Sequence, residues 1–494
     1  MNSLRLLYRP RHGLFAVTAL LGLLAPAWAA LPAALSSALQ TSGVPPEAVS
    51  FLVLPADGGA ARLDHEGKVI RQVASVMKLF TTGAALSTLG PAYTWRTDVA
   101  LGGTLRPNGT LNGPLHIRGS GDPSLVMEKV QLMLSRWRAG GLKKIHGDLL
   151  IDRSLFDLAP HDPAAFDGLV LKPYNAGADA LLLNYQAVSL RFAPDQARPG
   201  QVRVSMEPEL DGVQLDSRLR VQASGPCLNW RENLNVVIEP VAGGRKVDRQ
   251  RWAIKVNGPY PRACEDREWP LLWQGDGPGD HAARLLSSAW RQSGGQLSGH
   301  VQAGHWPDQA MVWQSWVSPP LGVVVRDINK FSNNVMARQL FLTLAGAPAT
   351  LARAQQVVTQ QVQAATQDAA GHSPCGDGAL VLDNGSGLSR LERSSAWCLG
   401  RWLQVMWASP VMPDFVASLP VTGVDGTARK LSSVAGRAHI KTGSIEGVVA
   451  LAGVVEGDSG RRYVLVGTVN HPQAEAARPA LEALILWAQR DRGP

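Results

Sequence analysis

The chain has 494 residues, too many for one ordinary domain, so two or three are expected. Its 45% hydrophobic and 18% charged residues exclude a disordered chain, and 50 glycines with 33 prolines point to many turns and a substantial β content. The formal charge of +8 comes without a basic block or a basic–aromatic module, so nucleic acid is not an expected partner; peripheral contact with an anionic envelope is.

The first elements are a leader and a short helix. Arg5, Arg9 and Arg11 precede an apolar run from Leu14 to Leu24 and a small-x-small site, Ala27-Trp28-Ala29. Residues 1–29 read as a secretory signal peptide, which places the mature protein outside the cytoplasm and lowers the charge to +5. A helix is expected over 31–45 and a strand over Ser50–Leu54. Ala61–Leu63 and Val69–Val73 are expected to form a hairpin around Glu66-Gly67 that feeds the next helix.

That helix starts near Ala74 and carries Ser75-Val76-Met77-Lys78. Residues three apart share a helical face, so the Ser75 hydroxyl and the Lys78 amine can meet. A serine in a first turn, among free backbone N–H groups, is also where a nucleophile developing negative charge would sit. Alone, the signal is weak, since a serine at a helix start is more often just a cap.

From Tyr93 to about Val256 short half-buried strands alternate with turns, interrupted by an amphipathic helix over Leu125–Ala139. Helices return over His281–Ser293, Leu321–Lys330, Asn334–Leu344 and Leu351–Ala365. A strong hairpin follows from His439 to Asn470, then a last helix over Pro479–Trp487. Residues 30–92 and 280–494 are therefore expected to form one α/β domain, an antiparallel sheet flanked by helices, split by a mostly-β insertion over 93–279 in two modules. Four cysteines suit export; Cys227 with Cys264 and Cys375 with Cys398 is the favoured one of three connectivities. No C-x-x-C or His–Cys cluster suggests a metal, and no cofactor is expected.

Two further stretches carry chemistry. Ser332-Asn333-Asn334 lies between two helices, where Ser and Asn serve as caps; Ser332 is also suited to relay a proton and Asn334 to bond Lys78 and a substrate amide. Lys441-Thr442-Gly443 lies on the first strand of the terminal hairpin, where the lysine and threonine suit a carboxylate. Gly443 permits close approach of a ligand backbone. The N–H of Ser444, with that of Ser75, can form an oxyanion hole.

The ordered trio SVMK, SNN, KTG matches the S-x-x-K, S-D-N, K-T-G signature of penicillin-recognising enzymes. With a gap of 254 positions between Lys78 and Ser332, and with GSGDPSL, YNAGADALLLN, NGSGLSR and LPVTGVDGTAR, the chain resembles the D-Ala-D-Ala carboxypeptidase/endopeptidase family of low-molecular-mass penicillin-binding proteins. The resemblance implies a β-lactamase/transpeptidase-like fold, acylation of Ser75 by peptidoglycan stem peptides or cross-links, inhibition by β-lactams, and a periplasmic location. It also implies that an acid of the insertion meets the free amine of diaminopimelate; a Trp-Asp-Asp element common in such proteins is missing, and Asp167 is the nearest acid. Arg390 would contact a substrate carboxylate or brace a turn, while Asp122, Asp383 and Asp425 read as turn braces. A serine β-lactamase is the first competing reading, weakened because no E-x-x-L-N string lies between the first two motifs. A non-catalytic wall-binding protein, using some of its 15 tryptophans, is the second.

Overall fold

The computed structural model describes residues 31–198, 200–242 and 249–491; the leader expected over 1–29 lies outside them. Five antiparallel strands form the central sheet, in the order Leu63–His65, Val49–Pro55, Arg462–Asn470, Val448–Glu456 and Ala438–Ile445. Phe51, Val53, Leu451 and Leu465 face the helices Ala33–Ser42 and Arg478–Arg490. Leu52, Leu54, Ala452 and Val466 face the opposite layer, which includes Lys78–Leu89, Leu321–Phe331 and Ala396–Ala408. Burial on both faces explains why these strands read as unbroken apolar runs rather than alternating ones.

The expected hairpin before Ser75 does not form. Leu63–His65 pairs with Val49–Pro55, and Ile70–Arg71 pairs instead with Arg393–Ser395 in a separate three-stranded sheet. Short strands carry too little pattern to specify their partner, and the distant segment wins.

The insertion is larger at its C-terminal end than expected. Gln296–Leu297 pairs with Lys144–His146, Val301–Ala303 with Leu149–Asp152, and Val312–Val317 with Arg96–Leu101. The helix Asp280–Gln292 buries Leu285, Leu286 and Trp290 in the same core as Trp137 and Ile145. The boundary placed at 280 therefore moves to about 318. An amphipathic helix announces that one face is buried, not which domain buries it. Within the insertion, Ala187–Pro194, Val202–Glu207 and Arg267–Leu272 make one three-stranded sheet, and Val213–Gln222, Asn235–Pro240 and Trp252–Pro261 another. The bridges are Cys227–Cys264 in the insertion and Cys375–Cys398 in the core. Among the described residues no helix is long and apolar enough to cross a membrane.

Candidate active site

The nucleophile segment is a 3-10 turn, Ala74–Met77, continuous with the helix Lys78–Leu89. Ala74 is held at φ 50°, a left-handed conformation that a side chain disfavours. Two glycines explain how the turn is held. A Cβ on Gly443 would lie 2.8 Å from the Ser75 nitrogen, and a Cβ on Gly387 would lie 1.7 Å from the Ala74 oxygen. Only bare backbone lets the edge strand and the 383–387 turn approach the serine from both sides.

Lys78 is completely buried, and its Nζ has three partners. It meets Ser75 Oγ at 3.2 Å and Asn334 Oδ1 at 2.6 Å, and it donates to the Ser386 carbonyl oxygen in a very short contact. An ammonium can donate to all three. A neutral amine has two hydrogens and one lone pair. The amide and carbonyl oxygens can only accept, so they take both hydrogens, and the lone pair is left facing the Ser75 hydroxyl. Burial first, then the Lys441 charge, pushes the Lys78 ammonium well below the ordinary lysine value; Arg338 adds to this and Glu392 opposes it.

Ser332 and Asn334 arrive through helix ends. Ser332 terminates the helix Leu321–Phe331 at φ 56°, where glycine or asparagine is usual. Asn333 caps the next helix by accepting from the Met336 N–H at 3.0 Å, which sends the Asn334 side chain to Lys78. Lys441 is fully buried, donates to Ser332 Oγ at 2.9 Å and to the Thr442 carbonyl at 2.7 Å, and is pushed down to about 7 by burial. Ser332 is thus bonded to Lys441 rather than to Lys78. Ala438–Ile445 is an edge strand, and Ile440 sends its N–H off that edge to the Pro420 oxygen at 2.7 Å. The period of two puts the N–H groups of Thr442 and Ser444 on the same edge.

A model of the D-Ala-D-Ala carboxypeptidase 3 (S13) family matches residues 31–491. The chain belongs to that family. It is 25% identical over 424 residues to the D-alanyl-D-alanine carboxypeptidase DacB of Haemophilus influenzae, covering 82% of each chain. It is 30% identical over 415 residues to a D-alanyl-D-alanine carboxypeptidase of Actinomadura sp. strain R39, covering 78% of this chain and 71% of that one. The solved structure of penicillin binding protein 4 (dacB) from Haemophilus influenzae has the same fold, with a TM-score of 0.71 at 21% identity over 91% of this chain and 99% of that one. The S13 chain is accordingly a serine peptidase hydrolase with a penicillin-recognising fold.

Within this S13 site the remaining expected residues lie at the rim. Arg390 donates to the Glu446 carbonyl at 3.0 Å and to its carboxylate at 3.1 Å, and stacks over the Phe166 ring at 5.1 Å. It therefore joins the turn of the terminal hairpin to the insertion loop that bears Asp167. Asp167 accepts from Tyr174 Oη and Asn175 Nδ2, each at 2.8 Å, and from the Leu169 N–H at 3.0 Å. Thr442 donates to Thr427 Oγ1 at 2.7 Å, and the Thr427 loop is pinned by the ion pair Lys330–Asp425 at 2.6 Å. Ser444 Oγ donates to Glu475 at 2.7 Å. The motif reading missed Ser386, Glu392, Thr427 and Glu446. Ser386 acts through its carbonyl, which side-chain identity does not reveal; the flanking glycines were the available signal.

The site also receives the insertion through one helix. Arg338 donates to the carbonyls of Tyr174 and Ala176 at 3.2 and 2.7 Å. Gln339 donates to those of Gly121 and Asp179 at 3.2 and 2.8 Å and accepts the Asp179 N–H at 2.9 Å. Both side chains stand on the helix that begins at Asn334. The strings GSGDPSL and YNAGADALLLN thus supply the carbonyls that dock the insertion onto the catalytic core.

Proposed function

We propose that the protein cleaves D-Ala-D-Ala termini, D,D-cross-links or both in peptidoglycan, with Ser75 as nucleophile and Lys78 as general base. The completely buried Lys78 amine, 3.2 Å from Ser75 Oγ and bonded besides to Asn334 Oδ1 and the Ser386 carbonyl, carries this reading. Ser75 Oγ bonds to the carbonyl carbon of the D-Ala residue as its proton moves to Lys78. The N–H groups of Ser75 and Ser444 receive the developing oxyanion. Collapse of the tetrahedral intermediate breaks the peptide bond, and Lys78 passes its proton to the leaving amine by way of Ser332, which exchanges its bond to Lys441 for one to Lys78 in that step. Water, deprotonated by Lys78, then releases the acyl group and restores the serine. Lys441 and Thr442 hold the terminal carboxylate, with Gly443 admitting the substrate backbone; Arg390 and Asp167 flank the part of the stem peptide that lies toward the insertion.

A β-lactam offers the same carboxylate and a strained amide, so it acylates Ser75 and leaves slowly. The basic start, apolar run and Ala-Trp-Ala site of the first 29 residues support export to the periplasm, where this substrate lies. Mass spectrometry of peptidoglycan fragments, scoring D-Ala loss and cross-link cleavage separately, tests the reading. Ser75→Ala is expected to abolish both and to remove the penicillin adduct while the fold remains. A Ser75→Ala variant that still releases D-Ala overturns it. Rapid turnover of penicillin by the wild type points to a β-lactamase instead.

A further inference from the structure

Glu392 plays no part in the reaction as set out above, yet its carboxylate is buried to 1% exposure beside the base. A carboxylate taken out of water is costly unless hydrogen bonds replace the lost hydration. Here they come from one turn. Oε1 accepts the N–H groups of Asp383 at 3.2 Å and Gly385 at 2.6 Å, and Oε2 accepts that of Gly387 at 2.6 Å. The carboxylate therefore fills the inside of the 383–387 turn as a template for it.

The outside of the same turn is applied to the nucleophile segment. The Gly385 carbonyl accepts from Thr81 Oγ1 at 2.7 Å, the Ser386 carbonyl accepts from Lys78 Nζ, and Gly387 abuts the Ala74–Ser75 backbone. Gly385 and Gly387, at φ 72° and 78°, supply the left-handed steps that let successive residues face the carboxylate and the lysine in alternation. We propose that Glu392 is a positioning residue: by templating the 383–387 turn it presents the Ser386 carbonyl to Lys78 and so keeps the lone pair of the neutral amine on Ser75. The inference rests on the reading of Ser75 and Lys78 as nucleophile and base.

Glu392 also acts on the base through its charge. The charged groups that face Lys78 are Lys441 on the edge strand, Arg338 on the helix that begins at Asn334, and Glu392 itself. Those that face Glu392 are Lys78, Arg338 and Asp383, the last on the turn that the carboxylate fills; burial raises the Glu392 carboxyl above its usual range, and the three N–H groups oppose that. Lys441 and Arg338 favour the neutral amine, and Glu392 favours the ammonium. Removing the negative charge lets Lys78 lose its proton at lower pH, while removing the template lets the carbonyl drift.

Two variants separate these effects. Glu392→Gln removes the charge and turns one acceptor into a donor facing an N–H. Glu392→Asp keeps the charge but is one methylene too short to reach all three N–H groups. The measurement is the pH profile of the second-order rate of Ser75 acylation by penicillin, per active site titrated, with melting temperatures alongside. Glu392→Gln is expected to move the acid limb about one unit to lower pH and to drop the plateau on the order of tenfold to a hundredfold. Glu392→Asp is expected to drop the plateau with the limb in place. Wild-type limb and plateau in Glu392→Asp and in whatever Glu392→Gln folds, with only the melting temperature lowered, overturn the inference. A wild-type protein that penicillin does not acylate at Ser75 overturns the reading of the site beneath it.

Discussion

In the central sheet the strand Val49–Pro55 buries six residues in succession, whereas Val213–Gln222 in the insertion buries one of ten. The first is enclosed by helices on both faces; the second leaves most of its side chains in water. The charges differ in the same way. The core takes Lys78, Lys441 and Glu392 to 1% exposure or less with no ion-pair partner within 4 Å among the described residues; the insertion keeps pairs such as Arg218–Asp216 and Lys255–Glu239 at the surface, and where it buries Arg284 to 1% exposure it pairs it with Asp280 and Asp276, each at 2.7 Å. Surface pairs of that kind contribute little, and buried unpaired ammonium groups cost a great deal. The core spends stability on lysines whose protons are loosely held, which is what proton transfer near neutral pH requires. The insertion holds the Arg284 charge it buries in ion pairs instead.

If that division holds, lesions in the core should disable every substrate alike, and lesions in the insertion should discriminate. The largest effect is expected from Lys78→Met. Loss of a positioned general base costs about a thousandfold. Acylation by penicillin and release of D-Ala from a stem peptide should fall together, measured as kcat/KM for each. A selective loss of peptide cleavage would place the base elsewhere.

Gln339→Ala tests the joint between the two regions. The side chain is fully buried and its three bonds run to Gly121 and Asp179 of the insertion. Truncation leaves a buried N–H and two carbonyls unpaired, for a loss of about 2–3 kcal/mol in unfolding free energy. Denaturant titration should show that loss. A separate early transition of the insertion would show that this joint couples the two.

The pH profile sharpens the account of the core. In the proposed mechanism Lys441 binds a carboxylate while protonated, and burial pushes it down to about 7. Its group is depressed, so the charged form is present below that value and lost as pH rises through it. KM for a D-Ala-D-Ala peptide should therefore climb several-fold between about pH 7 and about pH 9. A peptide with its terminal carboxylate amidated should show no such climb, and equal slopes for both would remove Lys441 from the carboxylate site.

The residues proposed to carry this chemistry were legible because three short motifs of common residue types occur in one fixed order. Ser75 with Lys78, Ser332 with Asn334, and Lys441 with Gly443 form that ordered trio, and the structure brings the three stretches into contact. Glu392 was not legible. In the run Arg390-Leu391-Glu392-Arg393 it looks like one charge of a solvated turn, and only the three converging N–H groups reveal a buried template. The extent of the insertion failed for a related reason. Val301–Ala303 and Val312–Val317 are short strands whose partners lie 152 and over 200 positions upstream, and periodicity within a strand says nothing of the partner.

The smallest effect is expected at Asp167, where the insertion is proposed to meet the substrate. Burial raises its proton affinity, but the Leu169 N–H, Tyr174 and Asn175 outweigh that and hold it below the usual carboxylate range. It is thus ionised throughout the working range. A carboxylate offers about four lone-pair directions, and three are in use, which leaves one for an incoming ammonium group. Asp167→Asn removes the charge yet can keep one loop bond, so the loop should survive. The expected result is a KM for an amine-bearing stem peptide raised a few-fold, with kcat and penicillin acylation unchanged. Acetylating the peptide amine should raise KM for the wild type by a similar factor and leave Asp167→Asn indifferent. If the variant and the acetylated substrate have additive effects, Asp167 does not meet that amine, and the insertion's influence on substrate choice must pass through Arg390 and Phe166.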